Sequence, residues 1–312
     1  MSDPKRHHYL PQSYLRAFGR DDGVWVYDRK INKVRWQKIK DTALESYFYS
    51  IELKDGLKDN KTIETELSKI EGAVSKISEK LRDRQELNLE ERVQVCLFAA
   101  FMMNRTPDFR EGIQRIEGKL LKRVAQQLFC SEESTKQLFE GSNNDFPDTS
   151  NLDAKKLHEI IQSDSFDIKI HKNRSLEMMV KLASGFTKTL LRLNWAILHA
   201  PKNCNFITTD RPFVIVPPKD RSRIPKWAGV GLLTPGANKF LPLTADMTIV
   251  FGDPGDTFGH IHVNKADVMQ INGSIGNMTQ RFLIGKDEAL IKSWVKRLKL
   301  SESVPVQTMT VG

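Results

Sequence analysis

The order of apolar and polar positions along the chain predicts helices in its first half. From Thr62 to Leu81, apolar residues recur at steps of three and four, which is the spacing of one face of an amphipathic helix. A second helix begins at Asn88, where Glu91 completes a capping sequence, and it ends before Pro107. Because this second helix is apolar on nearly all sides, we expect it to lie in the core.

Short extended segments predict strands, first in a hairpin near the amino terminus and then in the second half of the chain. The hairpin joins Val24–Tyr27 to Val34–Trp36 through a polar turn. A helix after Arg174 leads into a strand at Trp195–His199, and a last helix covers about 286–300. The other predicted strands are Asn205–Thr208, Phe213–Val216, Phe240–Leu243 and Thr248–Phe251.

These elements together predict an α+β fold. A helical amino-terminal and central part, which carries the hairpin and a third helix at about 108–129, is followed by a lobe of short mixed strands and a terminal helix. A polar stretch at 131–151 marks the clearest boundary between the two parts. We therefore divide the chain into a mainly helical lobe at 1–150 and an α+β lobe at 151–312, with one continuous domain as the alternative.

Composition indicates the kind of partner. The 312 residues include 48 Lys and Arg against 39 Asp and Glu, which gives a formal charge of +9 and a pI near 9.3. This excess favours a negatively charged partner, and we expect nucleic acid or a nucleotide. Two basic stretches at 219–226 and 292–299, each with a tryptophan in or beside it, are candidate phosphate contacts, although a solvated face is the commoner explanation of such runs.

Cysteine usage and hydropathy indicate the compartment. The three cysteines, Cys96, Cys130 and Cys204, are far apart, so their spacing offers neither a disulfide framework nor a metal-binding knuckle. The most apolar run, Val93–Met103, is too short to cross a bilayer, and the first residues contain no long apolar run. We therefore expect a cytoplasmic protein that does not enter a membrane.

Candidate chemistry begins with His7 and His8. Neighbouring residues of an extended segment point to opposite sides, so only one imidazole, which we take to be that of His8, is expected to face a site. An imidazole titrates near neutral pH and can transfer a proton, and His7 remains a candidate substrate contact. The alternative is that both histidines anchor the segment through hydrogen bonds.

Further polar candidates lie next to apolar segments. Asn104 and Arg105 end the apolar helix, where the guanidinium can grip phosphate or carboxylate oxygens in two places or can stabilise the negative end of the helix. Asp210 follows a predicted strand, where it can orient a histidine or bind Mg²⁺, or can hydrogen-bond its own turn.

Other motifs carry less information. His260 and His262 would share one side of an extended segment, a geometry that can begin a transition-metal site, but the neighbouring acidic residues lie in a turn-rich region. We therefore expect solvated loop histidines. The sequence contains no phosphate-loop, dinucleotide-binding, serine-hydrolase or zinc-protease signature.

Several blocks of the sequence resemble one known family. The segment His7–Phe18, which reads HHYLPQSYLRAF, and the following Val24–Arg29 resemble the opening of the bacterial domain-of-unknown-function 4238 family. Blocks at Glu45–Tyr49, Asn104–Pro107 and Phe206–Pro212 look like that family's later blocks and follow in the same order. The resemblance implies a shared architecture and a shared site, and it implies no activity.

These observations favour a nucleic-acid-directed protein, with a nuclease-like effector, for example in phage defence, as the leading hypothesis. In it His8 transfers a proton, Asn104 orients the substrate, and Asp210 orients His8 or binds Mg²⁺. Arg16 and Arg105 hold phosphate oxygens, and we expect all five residues to converge in one cleft. The rival is a non-catalytic binding or sensor module for an anionic small molecule or a phage or host protein, and an enzyme acting on a nucleotide is a third hypothesis.

Overall fold

The computed structural model describes residues 6–141, 153–222, 224–225 and 229–302. The helices are α1 (Gln12–Arg16), α2 (Thr62–Arg82), α3 (Leu89–Asn104), α4 (Pro107–Leu128), α5 (Glu132–Gly141), α6 (Ala154–Gln162), α7 (Lys172–Leu190), α8 (Lys265–Gly276) and α9 (Glu288–Arg297). The strands are β1 (Arg6–His8), β2 (Gly23–Asp28), β3 (Lys33–Lys38), β4 (Leu44–Ser46), β5 (Ile51–Glu52), β6 (Lys58–Asp59), β7 (Leu193–His199), β8 (Thr208–Thr209), β9 (Val214–Val216), β10 (Asn238–Pro242), β11 (Met247–Pro254), β12 (Phe258–His262) and β13 (Phe282–Gly285).

Helices and several small sheets are combined in an α+β fold, which confirms the predicted fold class. One sheet has the strand order β12, β7, β11, β10, β9, in which β12 and β7 run parallel and the other neighbours antiparallel. An antiparallel sheet of order β3, β2, β13, β8 contains the predicted hairpin. It therefore joins strands from both ends of the chain. The described residues also form two short pairs, β1 with β4 and β5 with β6.

The main helix predictions are confirmed. The side chain of Asn88 accepts a hydrogen bond from the Glu91 amide, and the Glu91 carboxylate accepts one from the Asn88 amide, which closes the predicted capping box of α3. Helix α3 is buried along most of its length, as its apolar composition predicts. By contrast, α4 buries only two glycines and lies closer to solvent. No helix of the described residues combines the length and the apolar character needed to span a bilayer.

The segment at 205–207 is not the strand that the sequence predicts. The Asn272 side chain accepts a hydrogen bond from the Ile207 amide and donates one to the Asn205 carbonyl, and the Phe206 amide donates to Ala245. These partners satisfy the backbone, so the strand β8 begins only at Thr208. Asn272 belongs to α8. The glycines of this helix lower its helix propensity, so the sequence does not predict it, and its buried apolar face stabilises it.

The hydrophobic core runs through both halves of the chain. Its main cluster includes side chains from Tyr9 to Ile284, and a second cluster surrounds Phe206, Ile275 and Trp294. The inward position of Trp294 agrees with the apolar stripe of the last helix. The division into lobes at residue 150 stays a prediction, and that boundary lies outside the described residues, as do residues 223 and 226 of the first basic stretch and the adjacent Trp227.

The amino-terminal segment is packed into the fold and positions the candidate site. Strand β1 pairs antiparallel with β4, and α1 buries Tyr14 and Leu15. The Tyr14 hydroxyl and the Thr208 hydroxyl lie 2.6 Å apart in a buried hydrogen bond between positions 194 residues apart. The segment that carries His7, His8 and Arg16 is therefore fixed against the helices and against β8.

The burial of α3 leads to a prediction about the free energy of unfolding. Met102 is fully buried in the core cluster, so Met102→Ala should lower the free energy of unfolding by about 2–5 kcal/mol through lost apolar burial and the cavity left behind. Leu89, at the start of the same helix, is 73% exposed, and Leu89→Ala should change that free energy by less than about 0.5 kcal/mol. Urea denaturation of both variants measures the difference, and equal costs would show that α3 is peripheral.

Candidate functional site

A cavity of about 350 Å³ lies between the amino-terminal segment and α2, and we call it the α1–α2 cavity. Three residues selected from the sequence, His8, Arg16 and Arg105, line it together although they come from distant positions. These three candidates therefore share one cavity. The polar side chains of the lining that matter for its chemistry are His8, Gln12, Arg16, Glu64, Glu71 and Arg105.

Arg105 is the anchor of this cavity. It caps the carboxyl end of α3, and its side chain is only 3% exposed. Nε donates to the Tyr49 hydroxyl at 3.0 Å, Nη1 to Glu71 Oε1 at 2.7 Å, and Nη2 to the His8 carbonyl at 3.0 Å. These bonds use three of the roughly five N–H groups of a guanidinium. Three N–H groups of the Arg105 guanidinium are therefore already bonded to groups of the protein.

His7 and His8 face opposite sides of β1. His7 is fully buried, its Nδ1 accepts a hydrogen bond from the Tyr49 amide at 2.9 Å, and its ring stacks on that of Tyr49. Because Nδ1 is an acceptor, the neutral ring carries its proton on Nε2, which lies 3.7 Å from Glu64 Oε2. His7 therefore does not line the cavity but contacts Tyr49 and Glu64, which do, whereas His8 is itself a lining residue.

The His8 imidazole is suited to accept a proton. Burial lowers its pKa below the ordinary histidine value, an effect that nearby backbone groups of Lys40 and Ile39 partly oppose. The buried Nε2 of His8 has no hydrogen-bond partner among the described residues. A neutral imidazole nitrogen can act as a general base, although Nε2 of His8 is enclosed by protein atoms in this structure.

Arg16 is the cation of the cavity with the fewest internal contacts. It ends α1, more than half of its side chain is exposed, and its Nε lies 3.5 Å from the exposed carboxylate of Asp22. An exposed pair of this kind contributes little to stability. The Arg16 guanidinium can therefore turn to a ligand at small cost.

Glu64 and Glu71 line the same cavity, and sequence reasoning did not select them. Burial raises the pKa of Glu64 above the ordinary glutamate value, and the His7 ring partly offsets this effect. The two glutamates are one heptad apart, beside the apolar stripe of α2 that includes Leu67. A seven-residue spacing next to the apolar stripe puts both carboxylates on the same side of α2, the side that faces α1. This spacing is the sequence signal that could have identified them.

Asp210 lies in a different cavity, of about 220 Å³, which Tyr9, Asp108 and Arg211 also line. It directly follows β8, as the sequence predicts, but its carboxylate accepts hydrogen bonds from the backbone amides of the turn at 280–281, at 3.1 and 2.7 Å. The single cleft expected for His8, Arg105 and Asp210 is therefore divided into two cavities. The physical reason is that the turn amides fix the Asp210 carboxylate away from His8.

Asn104 lines neither of these two cavities. Its Nδ2 donates to the Met179 carbonyl at 2.8 Å, and its side chain is buried between α3 and α7. Its Oδ1 meets no partner among the described residues. In this position the Asn104 amide joins two helices and does not reach the cavity where His8 lies.

The histidines at 260 and 262 lie in β12 and not in a loop. His199 of the neighbouring strand joins them, with its Nε2 2.9 Å from His260 Nδ1. The cation of Arg84 contacts His262, and a positive charge at this point opposes a metal ion. Within the described part of the chain, no three His, Cys, Asp or Glu residues form a group that could hold a metal.

The buried pair of Arg105 and Glu71 leads to a prediction about the free energy of unfolding. Arg105→Met should lower the free energy of unfolding by about 3–5 kcal/mol, because it leaves Glu71 without its cation in a poorly solvated place. Lys69→Met breaks an exposed pair with Glu66 on the same helix and should cost less than about 1 kcal/mol. Urea denaturation compares the two, and similar costs would contradict the anchoring role of Arg105.

The pKa of Asp210 makes a prediction about pH. Burial raises it to about 6, although the amides of Arg281 and Gln280 act in the opposite direction. Since the folded chain then holds this proton more tightly than the unfolded chain, the contribution of Asp210 to stability falls as pH rises from about 4 to about 6. The free energy of unfolding of the wild type minus that of Asp210→Asn should therefore drop by about 2 kcal/mol over this range.

Urea denaturation at several pH values measures that difference. Asp59→Asn is the control, because hydrogen bonds from Thr62 and Lys61 lower the pKa of Asp59, which keeps it ionised above about pH 5 in both states. Its difference from the wild type should stay flat between about pH 5 and pH 7. An equally flat profile for Asp210→Asn would show that burial does not disfavour the Asp210 carboxylate.

Comparison with known proteins gives a family and no further relative. A family model described as "Protein of unknown function (DUF4238)" matches residues 6–289. No curated protein and no solved structure matches the chain. The matched segment includes β1, the helices around the α1–α2 cavity and both cavities' lining residues. The resemblance seen in the sequence blocks is confirmed: the chain belongs to the DUF4238 family of proteins of unknown function.

Proposed function

We propose that this chain is a nucleic-acid-directed protein of nuclease-like type, and that the α1–α2 cavity binds a phosphate-containing part of its substrate. One observation carries the proposal: His8, Arg16 and Arg105, which come from distant positions, line one cavity. The net charge of +9 supports an anionic partner. The free thiols of the cysteines, one of them exposed, support the cytoplasm as its location.

Two side chains have distinct roles in this proposal. Arg16 contacts phosphate oxygens, because its guanidinium is exposed and only loosely paired. His8 takes a proton from a water that attacks the phosphorus of a phosphodiester, because burial keeps its ring neutral near pH 7. The P–O bond to the leaving oxygen breaks, and that oxygen takes a proton from solvent. Arg105 supports both indirectly by holding the His8 carbonyl and Tyr49 in place. The proposal also includes Mg²⁺ bound by Asp210. This binding would be separate from the α1–α2 cavity, because Asp210 lines the other cavity.

A second function, a non-catalytic binding module, has its own support. The residues expected to work with His8 in catalysis are elsewhere: Asp210 is held by turn amides, and Asn104 is bonded to Met179. The α1–α2 cavity would then recognise an anionic ligand without any turnover.

Substitutions in the cavity separate the two functions. His8→Ala should reduce cleavage of nucleic acid by at least about a hundred-fold, as expected for loss of a general base. It should change the free energy of unfolding by less than about 1.5 kcal/mol, the contribution of an ordinary hydrogen bond. Arg16→Ala should weaken binding and reduce its salt dependence by about one phosphate contact. Cleavage and binding are measured with single-stranded and duplex RNA and DNA, with and without Mg²⁺.

Arg20→Ala is the matched control, since Arg20 is an exposed arginine of the same segment that does not line the cavity. It should leave cleavage and binding close to those of the wild type. Binding without cleavage, weakened by Arg16→Ala, would favour the binding module. A folded wild type that neither binds nor cleaves any of these substrates would refute the proposal.

A further inference from the structure

The polar groups of the α1–α2 cavity are of two chemical kinds. The amino-terminal segment contributes groups that can donate hydrogen bonds, among them Arg16, Gln12 and Ser13. Helix α2 contributes the carboxyl groups of Glu64 and Glu71, which accept hydrogen bonds when they are ionised. A ligand that fills the cavity must therefore satisfy donors on one segment and acceptors on the other.

The two carboxylates differ in how far the protein already satisfies them. Glu71 Oε1 accepts a hydrogen bond from Arg105 Nη1 at 2.7 Å. For Glu64, the His7 Nε2 at 3.7 Å is too far away for a hydrogen bond, and no described residue donates one to its carboxylate at normal distance. His7 Nε2 is itself buried without a partner. Glu64 is therefore the acceptor of the cavity that a ligand can satisfy.

A bare phosphate does not suit this arrangement. It would match Arg16 but would place like charges beside Glu64 and Glu71, which disfavours binding. A ligand that carries hydroxyl groups next to its phosphate suits both segments, because each hydroxyl can donate to a carboxylate. A cavity of about 350 Å³ also falls within the size range of small-molecule sites.

We infer that the α1–α2 cavity recognises a ribonucleotide, either free or at an end of an RNA chain, with Arg16 on the phosphate and Glu64 accepting hydrogen bonds from the ribose hydroxyls. The inference rests on the proposed function and deepens it by naming the substrate class. The 2′-hydroxyl is the group that distinguishes RNA from DNA, so Glu64 makes the site selective for RNA.

Binding of matched ribose and deoxyribose probes to the full chain tests the inference. AMP, deoxy-AMP, and short RNA and DNA oligonucleotides of one sequence are titrated, and the dissociation constants are compared. The ribose form should bind about ten- to a hundred-fold more tightly than its deoxy counterpart, which corresponds to one hydrogen bond to a charged group. AMP binding indicates a free nucleotide as the ligand, whereas preference limited to the RNA oligonucleotide indicates an RNA end.

Glu64→Gln should reduce the preference for the ribose probes over the deoxyribose probes to less than about three-fold. Glu66→Gln is the control, because Glu66 lies on the same helix, is exposed and pairs with Lys69. It should retain the full preference, and thermal melting without ligand confirms that both variants fold.

The outcomes separate the two proposals. Tight binding of ribose and deoxyribose probes alike, or a preference that Glu64→Gln does not change, would overturn the inference and leave the proposed function standing. Absence of binding by every probe, for a wild type that melts cooperatively, would overturn the proposed function and this inference with it.

Discussion

The arrangement of the candidate site depends on the buried guanidinium of Arg105. A charge in this position is costly unless it is paired and hydrogen-bonded, and Arg105 meets this condition through Glu71, Tyr49 and the His8 carbonyl. Each partner belongs to a different segment, so the requirement to satisfy one cation fixes α2, α3 and β1 relative to one another. The same constraint explains why a residue that looks like a phosphate ligand serves mainly as an internal clamp.

Arg105 and its partners border a cavity whose local charge differs from that of the whole chain. The formal net charge of the protein is +9, but Glu64 and Glu71 accompany Arg16 and Arg105 in the cavity lining. A strongly positive surface attracts polyanions over long distances, whereas a cavity of mixed sign selects for ligands that also carry donors. Attraction and selection therefore rest on different sets of residues in this protein.

The two cavities illustrate how carboxylates of one fold acquire different tasks from their surroundings. Asp210 is surrounded by backbone amides that hold it in a turn, and burial raises its pKa to about 6. Glu64 faces a cavity that also contains an imidazole, and no described amide fixes its carboxylate. Since recognition requires groups that are available to a ligand, Glu64 is better placed for binding than Asp210.

The local sequence determined the long helices α2, α3, α4 and α7 and the hairpin, because the periodicity of apolar residues and the capping residues act over a few positions, as at Asn88 and Glu91. It also identified His8 and Arg105 as candidate site residues. Only the tertiary structure decided that Arg105 is satisfied internally, that Asp210 lies in a second cavity, and that Glu64 lines the first. These outcomes depend on partners many positions away, such as the 97 residues between Arg105 and His8, and local patterns carry no information about which distant groups will meet.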